Sequence, residues 1–468
     1  MSKTWVNELT EIVGEEHIQT KKSSLIAYSF DATPNFQALP DAVISPKNTD
    51  EIKQIVQICY KYNIPIIPRG SGTNLAAGTT PTQGGLVILF TRMNKILDID
   101  EENLTITVQP GVITDTICQT VEAKGLFYPP DPSSMKISTI GGNINENSGG
   151  LRGLKYGVTK DYVLGLEVVL SNGEVIQTGG KLAKDVAGYD LTSLMVGSEG
   201  TLGIITEAIL KLIPLPESKQ TLLATYDSIE KAAETVSSII ANKMTPETLE
   251  FIDQPTIKAV EDFSQVGLPT NAEAVLLIEQ DGPKMLAERD IAIIEQLTSQ
   301  HGAINTQIAQ SETEAHALRE ARRTALSALA KLSPTTILED ATVPRSEIAT
   351  MVKAINDIAK KYNVNIATFG HAGDGNLHPT CTTDLRDKEE WERVEMAFED
   401  IFAKAIELGG TITGEHGVGE MKSPYLEWKV GEQGLQMMKQ LKHAFDPYNI
   451  MNPMKIFAKS TRKRVVVS

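Results

Sequence analysis

The chain has few of the residues and segments that mark disulfide-rich, iron–sulfur or membrane-spanning proteins. Its 468 residues include three cysteines, Cys59, Cys118 and Cys381, and no two of them form a CxxC pair. This spacing excludes an iron–sulfur cluster held by this chain alone and indicates a reducing compartment. No segment approaches eighteen unbroken apolar residues, so we expect no integral membrane span.

Positive charge is also scarce, since the chain has 44 lysines and arginines but 60 aspartates and glutamates, which gives a net charge of −16. Nucleic-acid binding demands a basic face, so we expect no nucleic-acid partner. We interpret the basic tail Arg462-Lys463-Arg464 as a solvated segment. The stretch from Met1 to Glu16 lacks an apolar h-region, so no secretory signal is predicted. We expect a cytoplasmic protein that reaches the inner face of a membrane only through a partner.

Histidines are few as well, and three of the seven fall in two short stretches, 371–378 and 414–417. The first reads His-Ala-Gly-Asp-Gly-Asn-Leu-His, and its spacing of seven fits two turns of a helix. Gly373, Gly375 and Pro379 argue against a helix, because glycine and proline are the poorest helix residues. The apolar run before the first histidine predicts a strand, and Asp-Gly is a hairpin signal.

Such a hairpin would bring His371 and His378 close together across the turn. Two imidazoles and the Glu415 carboxylate would make a three-ligand metal site with a position open for water or substrate, as in catalytic zinc sites. The alternative interpretation is structural: the glycines serve turns and the histidines make ordinary hydrogen bonds.

The length predicts two or three domains, because one core seldom serves so long a chain. We place an N-terminal segment at 1–37, a nucleotide-binding domain at 38–216, a substrate domain with the metal site at 217–420 and a C-terminal segment at 421–468. The second region begins after Pro214-Leu215-Pro216, where strands start to alternate with helices of about fifteen residues, as in an α+β domain. A final helix is predicted around Gly434–Ala444.

Glycine-rich stretches in the first region point to a long anionic ligand. Residues 68–78 follow a predicted β-α-β unit, and glycines there let successive backbone N–H groups point at a phosphate. The stretch is neither a Rossmann fingerprint nor a P-loop, and by itself it could equally be a structural turn. Two further stretches, 139–150 and 196–203, together with Pro129–Ser134, suggest that backbone wraps one extended ligand.

Together these stretches resemble the flavoproteins of the vanillyl-alcohol oxidase/p-cresol methylhydroxylase fold. The similarity is to the branch with the glycolate oxidase flavin subunit, D-lactate dehydrogenase and D-2-hydroxyglutarate dehydrogenase, and it covers Leu39 to Phe457. It implies an α+β fold in which a two-part FAD-binding domain joins a substrate (cap) domain with an antiparallel sheet, and a C-terminal helix returns to the FAD domain. The residues implied to contact FAD are Arg69, Gly70, Ser71, Gly72, Thr73, Asn74, Pro132, Ser133, Thr139, Gly142, Asn143, Ser148, Gly200, Gly203, Ile205 and Asn452.

Two departures from the family pattern refine this expectation. Members with covalent FAD carry a histidine near the first glycine loop, whereas Thr73-Asn74-Leu75 stands here, so we predict non-covalent FAD. Met454 replaces the glycine of the family's Asn-Pro-Gly-Lys ending, which weakens the prediction of flavin contacts from Asn452 to Lys455.

The same resemblance implies the substrate site. His371, His378 and Glu415 would bind a divalent metal, zinc or manganese, and His416 would act as the catalytic base. Arg319, with Arg323 second, matches the arginine that binds the substrate carboxylate, although a solvated basic helix face is the alternative. Leu338 stands where hydroxyglutarate-specific members carry lysine, which favours a small monocarboxylate such as D-lactate or glycolate.

The sequence therefore predicts an FAD-dependent dehydrogenase of small D-2-hydroxy acids. Its electrons would pass to a separate acceptor protein: an iron–sulfur subunit, an electron-transfer flavoprotein or a quinone-linked partner. A homodimer is possible. The alternatives are an alkyl-dihydroxyacetone-phosphate synthase type, a D-2-hydroxyglutarate dehydrogenase, a direct oxidase and a flavin subunit that only relays electrons or supports assembly.

Overall fold

A computed structural model describes residues 4–458 of the chain. The basic tail at 462–464 lies outside the described residues. The strands are β1 (Ile18–Gln19), β2 (Ala42–Ile44), β3 (Ile66–Arg69), β4 (Leu86–Leu89), β5 (Ile96–Asp100), β6 (Thr105–Val108), β7 (Leu126–Phe127), β8 (Val163–Val169), β9 (Val175–Gly179), β10 (Ile204–Lys211), β11 (Ile213–Pro214), β12 (Ser218–Tyr226), β13 (Thr248–Asp253), β14 (Ala274–Gly282), β15 (Asn305–Ile308), β16 (Thr335–Leu338), β17 (Ala341–Thr342), β18 (Ile366–His371) and β19 (Asn376–Thr383).

The α-helices of the described residues follow in chain order. They are α1 (Thr4–Val13), α2 (Lys22–Leu25), α3 (Thr49–Tyr62), α4 (Thr114–Glu122), α5 (Ile140–Glu146), α6 (Gly153–Tyr156), α7 (Leu191–Met195), α8 (Ile229–Ala241), α9 (Gln254–Ser264), α10 (Lys284–Gln300), α11 (Glu312–Arg323), α12 (Ala325–Leu329), α13 (Ile348–Tyr362), α14 (Lys388–Glu407) and α15 (Leu426–Phe445). No helix in this part of the chain combines the length and the apolar character that crossing a membrane requires.

The first of two compact units contains the residues up to Ser148, residues 158–215 and the residues from Glu415 onwards. It holds a four-stranded sheet in the order β1-β2-β4-β3, in which β4 pairs in parallel with both β2 and β3. A five-stranded antiparallel sheet has the order β5-β6-β10-β8-β9.

Helix α3, between β2 and β3, illustrates how capping and apolar burial stabilise this unit. The side chain of Asn48 accepts a hydrogen bond from the Glu51 N–H, which caps the first turn of α3. Apolar residues at helical spacing, from Ile52 to Cys59, are fully buried in one core that also includes Trp5 and Leu9 of α1. The N-terminal segment, predicted at 1–37, thus contributes residues to this core.

The second unit comprises residues 149–157 and 216–414. Its sheet has the order β15-β12-β14-β13-β18-β19-β16, and β17 pairs with β19. These pairs are antiparallel, as predicted for the cap domain. The short segment 149–157 belongs here because ion pairs tie it to the sheet, including the one from Arg152 to Glu247 at 3.0 Å.

Two elements differ from their predictions for clear reasons. β13 was not predicted, because its sequence Thr-Leu-Glu-Phe-Ile-Asp places buried carboxylates among the apolar residues. The last helix begins at Leu426, but Gly431 interrupts it with φ of +70°, so the predicted helix corresponds to the part after this kink.

Candidate active site

A β-hairpin in the second unit carries two of the predicted metal ligands. β18 and β19 pair so that Phe369 lies opposite His378 and His371 opposite Asn376. The ring centroids of the two histidines are 5.0 Å apart, and both residues are 3% exposed. The prediction that an Asp-Gly turn brings these histidines together is confirmed.

Glycines allow the close approach of the segments around this hairpin. Gly375 has φ of +91°, and a Cβ there would lie 2.1 Å from the carbonyl oxygen of Val343. A Cβ on Gly414 would lie 2.2 Å from the Oγ1 of Thr342. The Gly414 N–H donates to Asp340 Oδ2 at 2.6 Å. The residue that precedes Glu415 is therefore held tightly within this unit.

Glu415 follows Gly414 directly in the chain and completes a group of three metal-ligating side chains. One ligand atom from each of His371, His378 and Glu415 lies within 4.8 Å of the other two. Nitrogen and oxygen ligands bound to one tetrahedral zinc ion at about 2.1 Å lie about 3.4 Å apart, so these ligand atoms would move together by up to about 1.4 Å on binding it. Two imidazoles and one carboxylate suit zinc, and the set fits a divalent ion.

A buried carboxylate on β13 orients the first histidine. Phe251 pairs with Gly370, so Glu250 stands opposite His371 on the neighbouring strand. Its Oε1 lies 2.7 Å from the Nδ1 of His371. Because a carboxylate accepts hydrogen bonds, it selects the tautomer with the proton on Nδ1 and leaves the Nε2 lone pair for a metal.

Helix α11 carries the predicted carboxylate-binding arginines, and the structure places its three arginines differently. Arg319 is paired with Glu279, at 2.8 Å, and with Glu312. Arg323 is the half-buried last residue of the helix. Arg322, which the sequence analysis passed over, is 2% exposed, and its Nη2 lies 2.6 Å from Glu250 Oε2.

The surroundings of Arg322 suit a group that receives an anion. Its guanidinium carbon lies 4.7 Å from the ring centroid of Phe369, the residue two before His371. The contact to Glu250 is an ion pair without hydrogen-bond geometry, and within residues 4–458 neither Nε nor Nη2 of Arg322 donates a hydrogen bond. Buried guanidinium N–H groups normally find acceptors, which a ligand carboxylate can supply.

His416, the predicted base, lies in the first unit. Its Nε2 is 3.9 Å from Glu415 Oε1. The loop that follows is fixed by Glu199, whose two carboxylate oxygens accept the N–H groups of Val418 and Gly419, each at 2.7 Å. This pair of charge-assisted hydrogen bonds determines where the chain after His416 runs.

The first unit also contains a groove at the end of β3. Six of the predicted FAD residues line it: Arg69, Gly70, Gly142, Gly200, Ile205 and Asn452. A Cβ on Gly70 would lie 2.3 Å from Thr139 Oγ1, and one on Gly200 would lie 2.4 Å from Pro68 Cγ. The backbone here leaves no room for side chains, as a cradle for a phosphate-bearing cofactor requires.

Several other predicted FAD residues support the groove without lining it. Asn74 Oδ1 accepts from the N–H groups of Ala76 and Gly78, and Thr139 caps α5. Asn143 donates to Thr114 Oγ1 at 2.6 Å. The remaining predicted residues that do not line the groove are Ser71, Gly72, Thr73, Pro132, Ser133, Ser148 and Gly203.

Two glutamates that the sequence analysis did not single out also line this groove. Glu146 and Glu199 border the same glycine, since a Cβ on Gly417 would lie 2.2 Å from Glu146 Oε2 and 3.2 Å from Glu199 Oε1. Burial raises the pKa of Glu199 to about 7, although the hydrogen bonds from Val418 and Gly419 lower it. Burial, and then the charge of Glu199, raise the pKa of Glu146 well above its usual range.

Comparison with solved structures identifies the fold class of this protein. The fold is that of p-cresol methylhydroxylase, whose structure aligns with a TM-score of 0.81 at 17% identity over 97% of this chain and 96% of that one. An alkyldihydroxyacetonephosphate synthase aligns with a TM-score of 0.77 at 19% identity over 97% of this chain and 86% of that chain. At such low identity these likenesses show a two-domain FAD-binding fold, which confirms the predicted fold class.

Comparison of the sequence with protein families and with curated proteins identifies the family of this chain. Residues 215–456 match the family "FAD linked oxidases, C-terminal domain", and residues 40–179 match "FAD binding domain". The chain belongs to the FAD-linked oxidase family. It is 68% identical over 466 residues to the Bacillus subtilis protein "Glycolate oxidase subunit GlcD", covering 100% of this chain and 99% of that protein. It is 38% identical to "D-lactate dehydrogenase" of Anaerostipes hadrus, covering 90% of both chains.

These findings confirm the predicted resemblance and the prediction of an FAD-linked oxidoreductase. The missed residues Glu250 and Arg322 left only weak signals. Arg322 is one of three arginines in five residues, and Glu250 lies in the strand that was not predicted. Glu146 and Glu199 stand inside two of the glycine-rich stretches, where only glycines and amides drew attention.

Proposed function

We propose that this protein oxidises a small D-2-hydroxy acid, D-lactate or glycolate, to the 2-oxo acid, with non-covalent FAD as hydride acceptor and a divalent metal, zinc or manganese, as Lewis acid. The observation that carries the proposal is the group of His371, His378 and Glu415 with the buried Arg322 beside its supporting glutamate. A 2-hydroxy acid requires a metal that can bind its hydroxyl group next to a cation that can bind its carboxylate.

Arg322 binds the substrate carboxylate through its planar fork. Its burial against Phe369 fixes the fork, so little side-chain freedom is lost on binding. Arg319 and Arg323 stay predictions for this role. Two carboxylates already hold Arg319, which is why we place Arg322 first.

His416 takes the proton of the substrate hydroxyl. We assign this step to Nε2, the ring atom 3.9 Å from Glu415. A neutral imidazole with an ordinary pKa of about 6.5 serves as a base near neutral pH. When bound, the metal lowers the pKa of the hydroxyl and FAD accepts the hydride from the α-carbon. Glu199 holds the loop after His416 and thereby limits the movement of the base.

A small substrate is supported by Leu338, which is 9% exposed and pairs with Thr380, two residues after His378. An apolar side chain offers a second carboxylate no partner, which argues against hydroxyglutarate. The 68% identical relative is named a glycolate oxidase subunit, which supports glycolate as one substrate.

The word "subunit" in that name also supports an electron-accepting partner protein. The three cysteines are buried, and burial raises the pKa of the Cys381 thiol to about 12, so they hold no exposed thiolates. The cytoplasmic location and the homodimer stay predictions from the sequence.

Anaerobic reduction of the flavin tests the proposal. Visible spectra of the purified protein are followed after separate addition of D-lactate, L-lactate, glycolate and D-2-hydroxyglutarate, before and after chelation. We expect bleaching by D-lactate or glycolate that chelator abolishes and zinc or manganese restores. The exposed His316 provides a control variant, His316→Ala, that should behave as the parent protein.

The second candidate is a flavin subunit that only relays electrons, and the same name supports it. A yellow protein that no hydroxy acid bleaches, but that a partner subunit reduces, would favour this candidate. Bleaching by D-2-hydroxyglutarate alone would contradict the proposed substrate class.

A further inference from the structure

We infer that Glu250 is a positioning residue that fixes His371 as a metal ligand and Arg322 as a carboxylate clamp at the same time. The inference rests on the proposed function and deepens it. Glu250 touches neither the metal nor the substrate in this account. It acts through the two residues that do.

Strand pairing places Glu250 beside His371. Phe251 of β13 pairs with Gly370 of β18, and Glu250 and His371 lie just beyond this pair on the two strands, next to each other. Glu250 is fully buried, and the 2.7 Å contact from its Oε1 to His371 Nδ1 forms away from solvent. Water therefore cannot replace this carboxylate, and the imidazole is held in one orientation.

The negative charge of Glu250 is paired with the positive charge of a buried arginine. A buried carboxylate is costly unless a cation accompanies it, and Arg322 Nη2 lies 2.6 Å from the other oxygen of Glu250. The two oxygens thus serve two different residues. Arg322 needs the same pairing, because it is 2% exposed and has Phe369 on its face.

Through these two contacts Glu250 couples the histidine ligand to the arginine. A carboxylate on Nδ1 raises the basicity of the ligating Nε2 and fixes its direction, and losing such a partner typically weakens metal binding by about 10–100-fold. Loss of Glu250 also frees the guanidinium of Arg322 from one of its contacts. One substitution should therefore weaken both metal and substrate binding.

Glu250→Gln is the informative variant. Glutamine still accepts the Nδ1–H through its oxygen, but its amide N–H groups face the N–H groups of Arg322. Glu279→Gln is the matched control, because Glu279 is equally buried on the adjacent β14 and pairs with Arg319 of the same helix. Both variants remove one buried carboxylate from an arginine ion pair.

The affinity for zinc is measured by chelator competition on the FAD-loaded protein, together with thermal unfolding and the KM for the hydroxy acid. We expect Glu250→Gln to weaken zinc binding by about 10-fold and Glu250→Ala by up to about 100-fold. Glu279→Gln should match the parent protein in zinc affinity even if it unfolds earlier. A structural role alone would lower the stability of both variants and leave zinc affinity unchanged.

Zinc affinity of Glu250→Gln and Glu250→Ala equal to that of the parent would overturn the inference and leave the proposed function standing. A parent protein that binds zinc no better than His378→Ala would overturn both, because then no metal site exists there. If neither glutamate variant folds, Glu250→Asp decides the matter. It keeps the charge and retracts the carboxylate, so equal zinc affinity in that variant also counts against the inference.

Discussion

The glycine-lined groove of the first unit and the histidine hairpin of the second are built by opposite means. The groove is mostly backbone: Gly70 and Gly200 line it, and neighbouring atoms exclude any side chain at those positions. The hairpin site is mostly side chains, and Glu250, His371 and Arg322 hold one another in place. Backbone cradles suit a cofactor that stays bound, whereas paired side chains suit a small substrate whose charge changes during reaction.

The largest expected effect comes from removing a metal ligand. His378→Ala should lower the rate of flavin reduction by the hydroxy acid by about 1000-fold, which corresponds to ~4 kcal/mol of transition-state stabilisation. FAD content should not change, because the groove does not use this residue. Anaerobic stopped-flow reduction measures the rate, and the exposed His316→Ala is the control. Equal rates in both variants would remove the hairpin from the chemistry.

The two arginines of α11 sharpen the comparison within the hairpin site. Arg322→Lys keeps the charge beside Glu250 but loses the planar fork, so kcat/KM for the hydroxy acid should fall by about 10–100-fold. Arg319→Lys, with Glu279 and Glu312 as its partners, should cost less than about 3-fold. The reverse order would return the carboxylate clamp to Arg319, as the sequence first suggested.

A side chain in the backbone cradle should affect the flavin. Gly200→Ala and Gly125→Ala share a strained φ, +69° and +71°, at a cost of about 1–2 kcal/mol each. The added methyl group at 200 would clash with Pro68, whereas among the described residues nothing lies within 4 Å of it at 125. We therefore expect similar strain in both variants, but weaker FAD binding only in Gly200→Ala. Flavin fluorescence during titration measures the affinity, and equal affinities would mean that the groove does not hold FAD.

The smallest effect is a pH dependence of stability. A carboxyl group whose pKa is raised on folding favours the protonated state, so its contribution is fully present below about pH 4.5 and is lost as pH rises through its folded pKa, about 7 for Glu199. Burial and the charge of Glu199 raise the pKa of Glu146 as well, so Glu146→Gln removes a second carboxyl of this kind and should flatten the loss, with a gain of about 1–2 kcal/mol at pH 8. Thermal unfolding from pH 5 to pH 8 measures it. Parallel pH profiles for variant and parent would show that Glu146 does not contribute to the pH dependence.

The sequence predicted those parts of the site that depend on neighbouring residues along the chain. The Asp374-Gly375 pair predicted the hairpin, and the glycine-rich stretches predicted the groove, because turns and phosphate cradles need glycine locally. The helix α3 was equally clear from its periodic apolar residues. These features report on backbone geometry, which short stretches determine.

The rest depends on contacts between distant segments. Glu250 contacts His371, which lies 121 residues later in the sequence. Glu250 belongs to β13, whose buried carboxylates interrupt the apolar pattern by which a strand is predicted. Arg319, Arg322 and Arg323 lie within about one turn of α11, and their positions i, i+3 and i+4 share a face, so only packing decides which arginine faces the site. The pairing of Glu146 with Glu199 similarly arises because both border Gly417.

Anomalous X-ray scattering from crystals of the zinc-loaded protein tests the central claim most directly. We predict one zinc ion bonded at about 2.1 Å to the Nε2 of His371, to His378 and to Glu415, with Glu250 still on Nδ1. A zinc ion bound elsewhere, or bonded to Nδ1 of His371, would contradict it.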